Sequence, residues 1–242
     1  MIAHVLSSVE AANASPIALV VSPWFHVQIV ESLRERGYDL DSVRIVEQEE
    51  RRGAADAVRC AVPALREAGC DTVVTVFGDM PCWRSETIGD FISAHRNAGT
   101  KLTMALIPVE EMRGHDGFDQ FGRALVGADG QVLGTFEPRD RKPSLEELAR
   151  ASYLNAALYA IDLGWLEASF VRIPPYPRSD GFPDEMHLPA LVKVASDEGV
   201  RIGTFILRDI EQTRGVNTLR ELELLRRRFA ASHETQAAVV PW

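Results

Sequence analysis

The chain has 242 residues, 46% hydrophobic and 25% charged, with a formal net charge of −9. That composition fits a soluble globular protein with room for one ordinary α/β domain or two small ones. Its negative balance argues against nucleic acid or a membrane surface as a partner, because polyanions repel it; a single nucleotide can still be held by local cations or a metal ion.

Ile2, Val5, Leu6 and Val9 recur at helical spacing, so the chain opens on an amphipathic helix. Pro16–Ser22 ("PIALVVS") is a continuous apolar run and predicts a buried strand. A helix follows over Phe25–Gly37, then a strand over Ser42–Gln48. Gly53 to Gly69 predicts an alanine-rich helix ended by glycine. Asp71–Asp79 ("DTVVTVFGD") predicts a third strand, Ser85–Gly99 a helix capped by Ser85, and Lys101–Val109 a fourth strand. The second half is less regular. Gly122–Pro138 predicts a hairpin turning at Asp129-Gly130. Ser144–Arg150 is a short helix and Ala151–Asp162 a strand. Arg172–Glu185 is a Pro/Gly-rich loop. A helix over His187–Gly199, a strand over Arg201–Leu207 and a helix over Asn217–Phe229 close the pattern. The domain is thus expected over 1–229, with a patternless tail over 230–242.

Alternation of buried strands and helices predicts an α/β, Rossmann-like fold with a mostly parallel sheet flanked by helices and an added hairpin. Cys60, Cys70 and Cys82 are odd in number and form no Cys-x-x-Cys pair, so neither a disulfide framework nor a zinc site is expected. A reduced, cytoplasmic protein is the simplest reading. No apolar run approaches the ~20 residues of a membrane helix. The opening "MIAHVLSSVEAANASP" lacks the basic start and sustained apolar core of a secretory leader.

Ligands of open α/β sheets bind outside the carboxyl ends of the strands. Gln48, Asp79 and Asn155 fall on or near such ends, and Glu137 ends the hairpin. Each has an ordinary structural role as well. Asp79 is equally a turn former, Asn217 a helix cap, Glu137 a solvated hairpin end, and Cys82 and Trp83 packing residues.

Taken in order, "VEQEERRGAADAV", "VFGDMP", "QFGR", "GQVLGTFEPRD", "YLNAALYAI", "DEMHLPALV" and "RGVNTLRELELL" resemble the pyrophosphorylase domain of the bifunctional N-acetylglucosamine-1-phosphate uridyltransferases. More broadly they resemble the sugar-1-phosphate nucleotidyltransferases, over about residues 1–228. The resemblance implies a GT-A-like variant of the fold and transfer of a nucleotidyl group from UTP to N-acetylglucosamine 1-phosphate. It matches Asp79 and Asn217 to the protein ligands of a catalytic Mg²⁺, a cation that takes few protein oxygens and keeps substrate phosphates and waters. It matches Gln48 to a residue that reads the uracil edge, with Gly53 and Gly78 on the nucleotide side. Gly122, Glu137 and Asn155 match residues that hold the sugar. The partners implied are a nucleoside triphosphate and a sugar phosphate, and a homo-oligomer is compatible with them. Two other readings fit the same residues: a non-catalytic relative serving as a binding subunit, and a nucleotidyltransferase using CTP or GTP with another acceptor.

The sequence departs from the family at its start. The family opens with a strand and a glycine-rich loop that cradles the triphosphate; Met1 aligns beyond both. By the usual strand order this leaves an unfilled place between "IALVV" and "VVTVF". Three expectations follow: the natural chain starts earlier, another segment fills the gap, or the two strands pair directly. Gly53-Ala54 replaces Gly-Thr near the base, and Pro189-Ala190 replaces Thr-Asp. No hexapeptide repeat follows Phe229, so acetyl transfer is not expected.

Overall fold

The computed structural model describes residues 1–119, 121–137, 144, 146–147, 151–178 and 180–237, with backbone alone at 228 and 230–237. The helix expected over 144–150 lies largely outside them. In chain order the elements are α1 (Ile2–Ala11), β1 (Ile17–Val21), α2 (His26–Glu35), β2 (Val43–Glu47), α3 (Gly53–Glu67), β3 (Thr72–Thr75) and α4 (Ser85–Ala98). Then come β4 (Leu102–Pro108), β5 (Arg123–Val126), β6 (Val132–Phe136), β7 (Tyr153–Asp162), α5 (Leu163–Ser169), α6 (Ala190–Asp197), β8 (Ile202–Ile206) and α7 (Leu219–Ala237).

β1 and β2 form a parallel pair of their own. The larger sheet runs β6-β5-β7-β4-β8, with β3 also paired to β7. β4 and β8 are parallel, while β7 is antiparallel to β3, β4 and β5. Thus β3, β4, β5 and β8 share one direction, and β7 is threaded among them in reverse. Every residue of β4 is buried, as are seven of the ten residues of β7. That burial explains why these two read as continuous apolar runs.

Helix ends follow their sequence signals. Gly37, Gly69, Gly99 and Gly199 take positive φ just beyond α2, α3, α4 and α6. Three expectations are corrected. α4 is capped at Arg84, with no side-chain cap bond, and Ser85 is its first helical residue. β3 stops at Thr75, four residues short of Asp79. α7 runs to Ala237, eight residues into the segment read as a tail.

The short β3 and the isolated β1–β2 pair have one cause. β1 pairs only with β2 and β3 only with β7, so the edges of β1 and β3 that would face each other carry no ladder. Direct pairing of the two is therefore ruled out. A cavity of about 730 Å³ lies between them, roofed by Val5 and Val9 of α1 and floored by Val58 and Ala61 of α3. The unfilled strand position expected from the sequence is a real hollow in the fold. Among the described residues no helix is long and apolar enough to cross a membrane.

Candidate active site

The hollow opens at its strand-end side onto Gln48, Gly53 and Gly78, three residues picked out in the sequence. Gln48 continues β2, its N–H donating to the Val21 carbonyl at 2.9 Å. Its side-chain Nε2 donates to the Gly53 carbonyl at 3.1 Å and to Asp56 Oδ2 at 2.8 Å. Gly53 is required by geometry. Its φ is +82°, and a Cβ there would lie 2.8 Å from the Met186 carbonyl oxygen. The segment after the Pro/Gly-rich loop is latched to this turn: Met186 N–H donates to the Arg52 carbonyl at 2.7 Å, and Ala55 N–H to the Met186 carbonyl at 2.9 Å. The loop itself is pinned by reciprocal bonds between Tyr176 and Glu185, at 2.7 and 2.9 Å.

Asp79 sits in the turn beyond β3. Its carbonyl accepts the Val216 N–H at 3.0 Å, which lays the Gly215–Asn217 backbone against it. An added Cβ on Gly215 would be 3.7 Å from the Asp79 carbonyl oxygen and 4.0 Å from Asn217 Nδ2. The two residues matched to a metal are therefore brought together across 138 positions of sequence. Burial pushes the Asp79 carboxyl above its ordinary value.

Asn217 is not the helix cap. Thr218 Oγ accepts the Glu221 N–H at 3.2 Å, and Glu221 Oε2 accepts the N–H groups of Thr218 and Asn217 at 2.8 and 2.7 Å. This is a capping box, and the donated bonds hold the Glu221 carboxyl below its usual value. The Asn217 side chain is released from that duty and is exposed. Carboxylate and amide oxygens are the hard donors that Mg²⁺ takes, so the pair fits such an ion. Among the described residues no group of three or more His, Cys, Asp or Glu could hold a metal, so an ion held by Asp79 and Asn217 would complete its shell with water or substrate oxygens.

A second cluster forms around Gly122. Asn155 N–H donates to the Gly122 carbonyl at 2.8 Å, and a Cβ on Gly122 would lie 3.0 Å from Glu137 Cδ. Gly122, Glu137 and Asn155 thus meet as the sequence suggested. The Asn155 side chain, however, points into the sheet: Nδ2 donates to the Tyr159 hydroxyl at 2.6 Å and Oδ1 accepts the Ala157 N–H at 3.1 Å. Ala157 has φ +58° at an irregularity of the β4–β7 ladder, and the kink turns the amide inward. Arg214, in the segment laid against Asp79, reaches the loop before β5. It donates to the Asp116 carbonyl at 3.2 Å, pairs with Glu211 and lies 4.7 Å over the Phe118 ring. Neither Arg214 nor Asp56 was given a role in the sequence reading: their i,i+3 partners look like ordinary surface ion pairs, and only the fold adds Phe118 to the one and Gln48 to the other.

A model of the MobA-like NTP transferase domain matches residues 1–162. The chain is 29% identical over 234 residues to the bifunctional protein GlmU of Pelobacter propionicus, covering 95% of this chain and 46% of that protein. It is 27% identical over 245 residues to GlmU of Mycolicibacterium vanbaalenii, covering 99% and 47%. It therefore spans about half the length of these relatives. The structure of CMP:2-keto-3-deoxy-manno-octonic acid synthetase complexed with CTP superposes with a TM-score of 0.62 over 96% of this chain and 88% of that one, at 16% identity. That likeness supports the α/β nucleotidyltransferase fold. By the match over its first 162 residues, this chain belongs to the MobA-like NTP transferase family.

Proposed function

We propose that this domain transfers a nucleotidyl group from a nucleoside triphosphate, UTP in our reading, to a sugar 1-phosphate such as N-acetylglucosamine 1-phosphate. The observation that carries this is the backbone contact that brings the Asp79 turn against the Gly215–Asn217 segment. The Gly215–Asn217 backbone is laid against the Asp79 carbonyl; the Asp79 carboxyl is partly desolvated and the Asn217 side chain is free of capping duty, and the adjoining Gly78 lines the same cavity as Gln48 and Gly53.

In the reaction a phosphate oxygen of the sugar 1-phosphate bonds to the α-phosphorus, and the bond from that phosphorus to the β-bridging oxygen breaks. Pyrophosphate leaves with the electron pair. The ionised acceptor phosphate needs no general base. Gln48 and Gly53 orient the base. Gly122 and Glu137 orient the sugar, and Asn155 shapes that pocket through its backbone. Asp79 and Asn217 would hold Mg²⁺, which supplies charge to offset that of the phosphates when bound. Fixing both reactants in line is the chain's main contribution.

The test is pyrophosphate release from UTP, Mg²⁺ and N-acetylglucosamine 1-phosphate, with and without Asp79→Asn. Turnover that depends on Asp79 supports the reading. Nucleotide binding without turnover would favour the non-catalytic alternative.

A further inference from the structure

Asp56 is an unusual residue for its place. It lies in the first turn of α3, is only 2% exposed, and has no role of its own in the transfer described above. Its carboxylate is divided between two neighbours. Oδ1 accepts from the Arg59 guanidinium, at 2.9 Å from Nε, and Oδ2 accepts from Gln48 Nε2 at 2.8 Å. An ionised carboxylate is an acceptor only, and so is the Gly53 carbonyl that also faces Nε2. The Gln48 amide therefore has one chemically sensible orientation. Both of its hydrogens are spent on the protein, and its hydrogen-bonding capacity toward the cavity is the acceptor Oε1.

We propose that Asp56 is a positioning residue that locks Gln48 as an acceptor, so that the site selects a base whose ring nitrogen carries a hydrogen. This rests on the reading of Gln48 as the base-contacting residue and sharpens it. Uracil presents an imide N3–H, whereas cytosine presents a bare N3 lone pair at the same place. The two rings are equal in size, so the comparison isolates the hydrogen bond. A site left with an unpaired buried acceptor discriminates strongly against the wrong partner.

The arrangement also predicts how selectivity can be inverted. In Asp56→Asn, Arg59 holds the amide oxygen of the new side chain and turns its NH₂ toward Gln48. Gln48 then has to rotate, give up the Gly53 carbonyl, and present Nε2 as a donor.

Binding of UTP, CTP and 3-methyl-UTP, each with Mg²⁺, is measured by calorimetry on the full chain and on two variants. For the unaltered protein we expect UTP to bind at least about tenfold tighter than CTP, and N3 methylation to abolish that advantage. In Asp56→Asn the UTP-to-CTP ratio falls by about tenfold or more, while in Arg59→Ala, which keeps the carboxylate, UTP stays preferred. A purely structural role would lower both affinities together and leave their ratio alone. An unchanged ratio in Asp56→Asn, a native preference for CTP, or indifference to N3 methylation each overturns the inference. The methylated nucleotide decides the matter even if Asp56→Asn fails to fold. Absence of any nucleotide binding by the unaltered protein would instead sink the underlying functional reading.

Discussion

Asp79 illustrates how much one residue can and cannot disclose. In the sequence it is a carboxylate after a valine-rich run, a turn former or a ligand with equal right. The fold places it in a turn, opposite the Gly215–Asn217 backbone and in a desolvated setting that raises the carboxyl. A raised carboxyl binds protons more tightly folded than unfolded, so stability falls as pH rises from the unfolded value through the folded one. At neutral pH the full penalty stands. Asp79→Asn should therefore raise the melting temperature at pH 7 while reducing pyrophosphate release by at least a hundredfold, of the order expected when a transition-state electrostatic group is lost. Melting curves at pH 4 and pH 7 check the first half: the gain should shrink at the lower pH. His95 shows the opposite linkage. It is buried beside the hollow, shares a 2.8 Å hydrogen bond with Thr103, and burial lowers its pKa. Below its ordinary value of about 6.5 the unfolded chain takes up the proton that the folded one refuses. Stability from this group is full above that pH and is lost as pH falls. Denaturant titrations at pH 5 and pH 7.5 should show a smaller acid loss in His95→Gln than in the unaltered protein; equal losses would contradict the assignment.

At the scale of elements, local signals were legible and non-local ones were not. Periodicity and glycine placement located α2, α3, α4 and α6 because a helix is made of contacts three and four residues apart. The hairpin of β5 and β6 was legible from Asp129-Gly130, where Gly130 takes φ +79° and Asp129 accepts the Gln131 N–H at 3.1 Å. The insertion of β7 between β3 and β4 was not, since strand order is fixed by the chain's whole path. The start of α7 was misread for a smaller reason. Asn and Thr stand side by side there, and both cap helices. The Glu three residues after Thr218 was the deciding signal, and it makes Thr218 the cap. Thr218→Ala should cost about 1 kcal/mol, a melting shift of about 2–4 °C for a chain of this size. It should also weaken nucleotide binding with Mg²⁺, since the same box fixes the backbone N–H of Asn217. A stability loss with unchanged metal-dependent binding would separate the cap from the site.

For the whole molecule the dominant feature is the hollow that divides the β1–β2 pair from the six-stranded sheet. Its position was legible only by comparing the order of motifs with a family pattern, because composition and periodicity do not register an unfilled strand position. Its consequences are physical. The facing edges of β1 and β3 lack a ladder. Thr75, the last residue of β3, lines the hollow, and its buried hydroxyl has no hydrogen-bond partner among the described residues. A buried hydroxyl left unmatched costs about 1–3 kcal/mol. Thr75→Val keeps the branched shape and removes that group, so it should raise the melting temperature by about 2–4 °C for each kcal/mol recovered. Any extended apolar segment that entered the hollow would supply the missing ladder and could hydrogen-bond Thr75, and the sign of the substitution would then reverse. Thermal melts of the Thr75→Val pair in the chain alone, and again with a strand-forming extension joined ahead of Met1, distinguish the two states. Stabilisation in the first and destabilisation in the second is the outcome that the geometry of β1, β3 and α1 requires; a loss in both would mean that Thr75 already has a partner, and that the hollow is closed in solution.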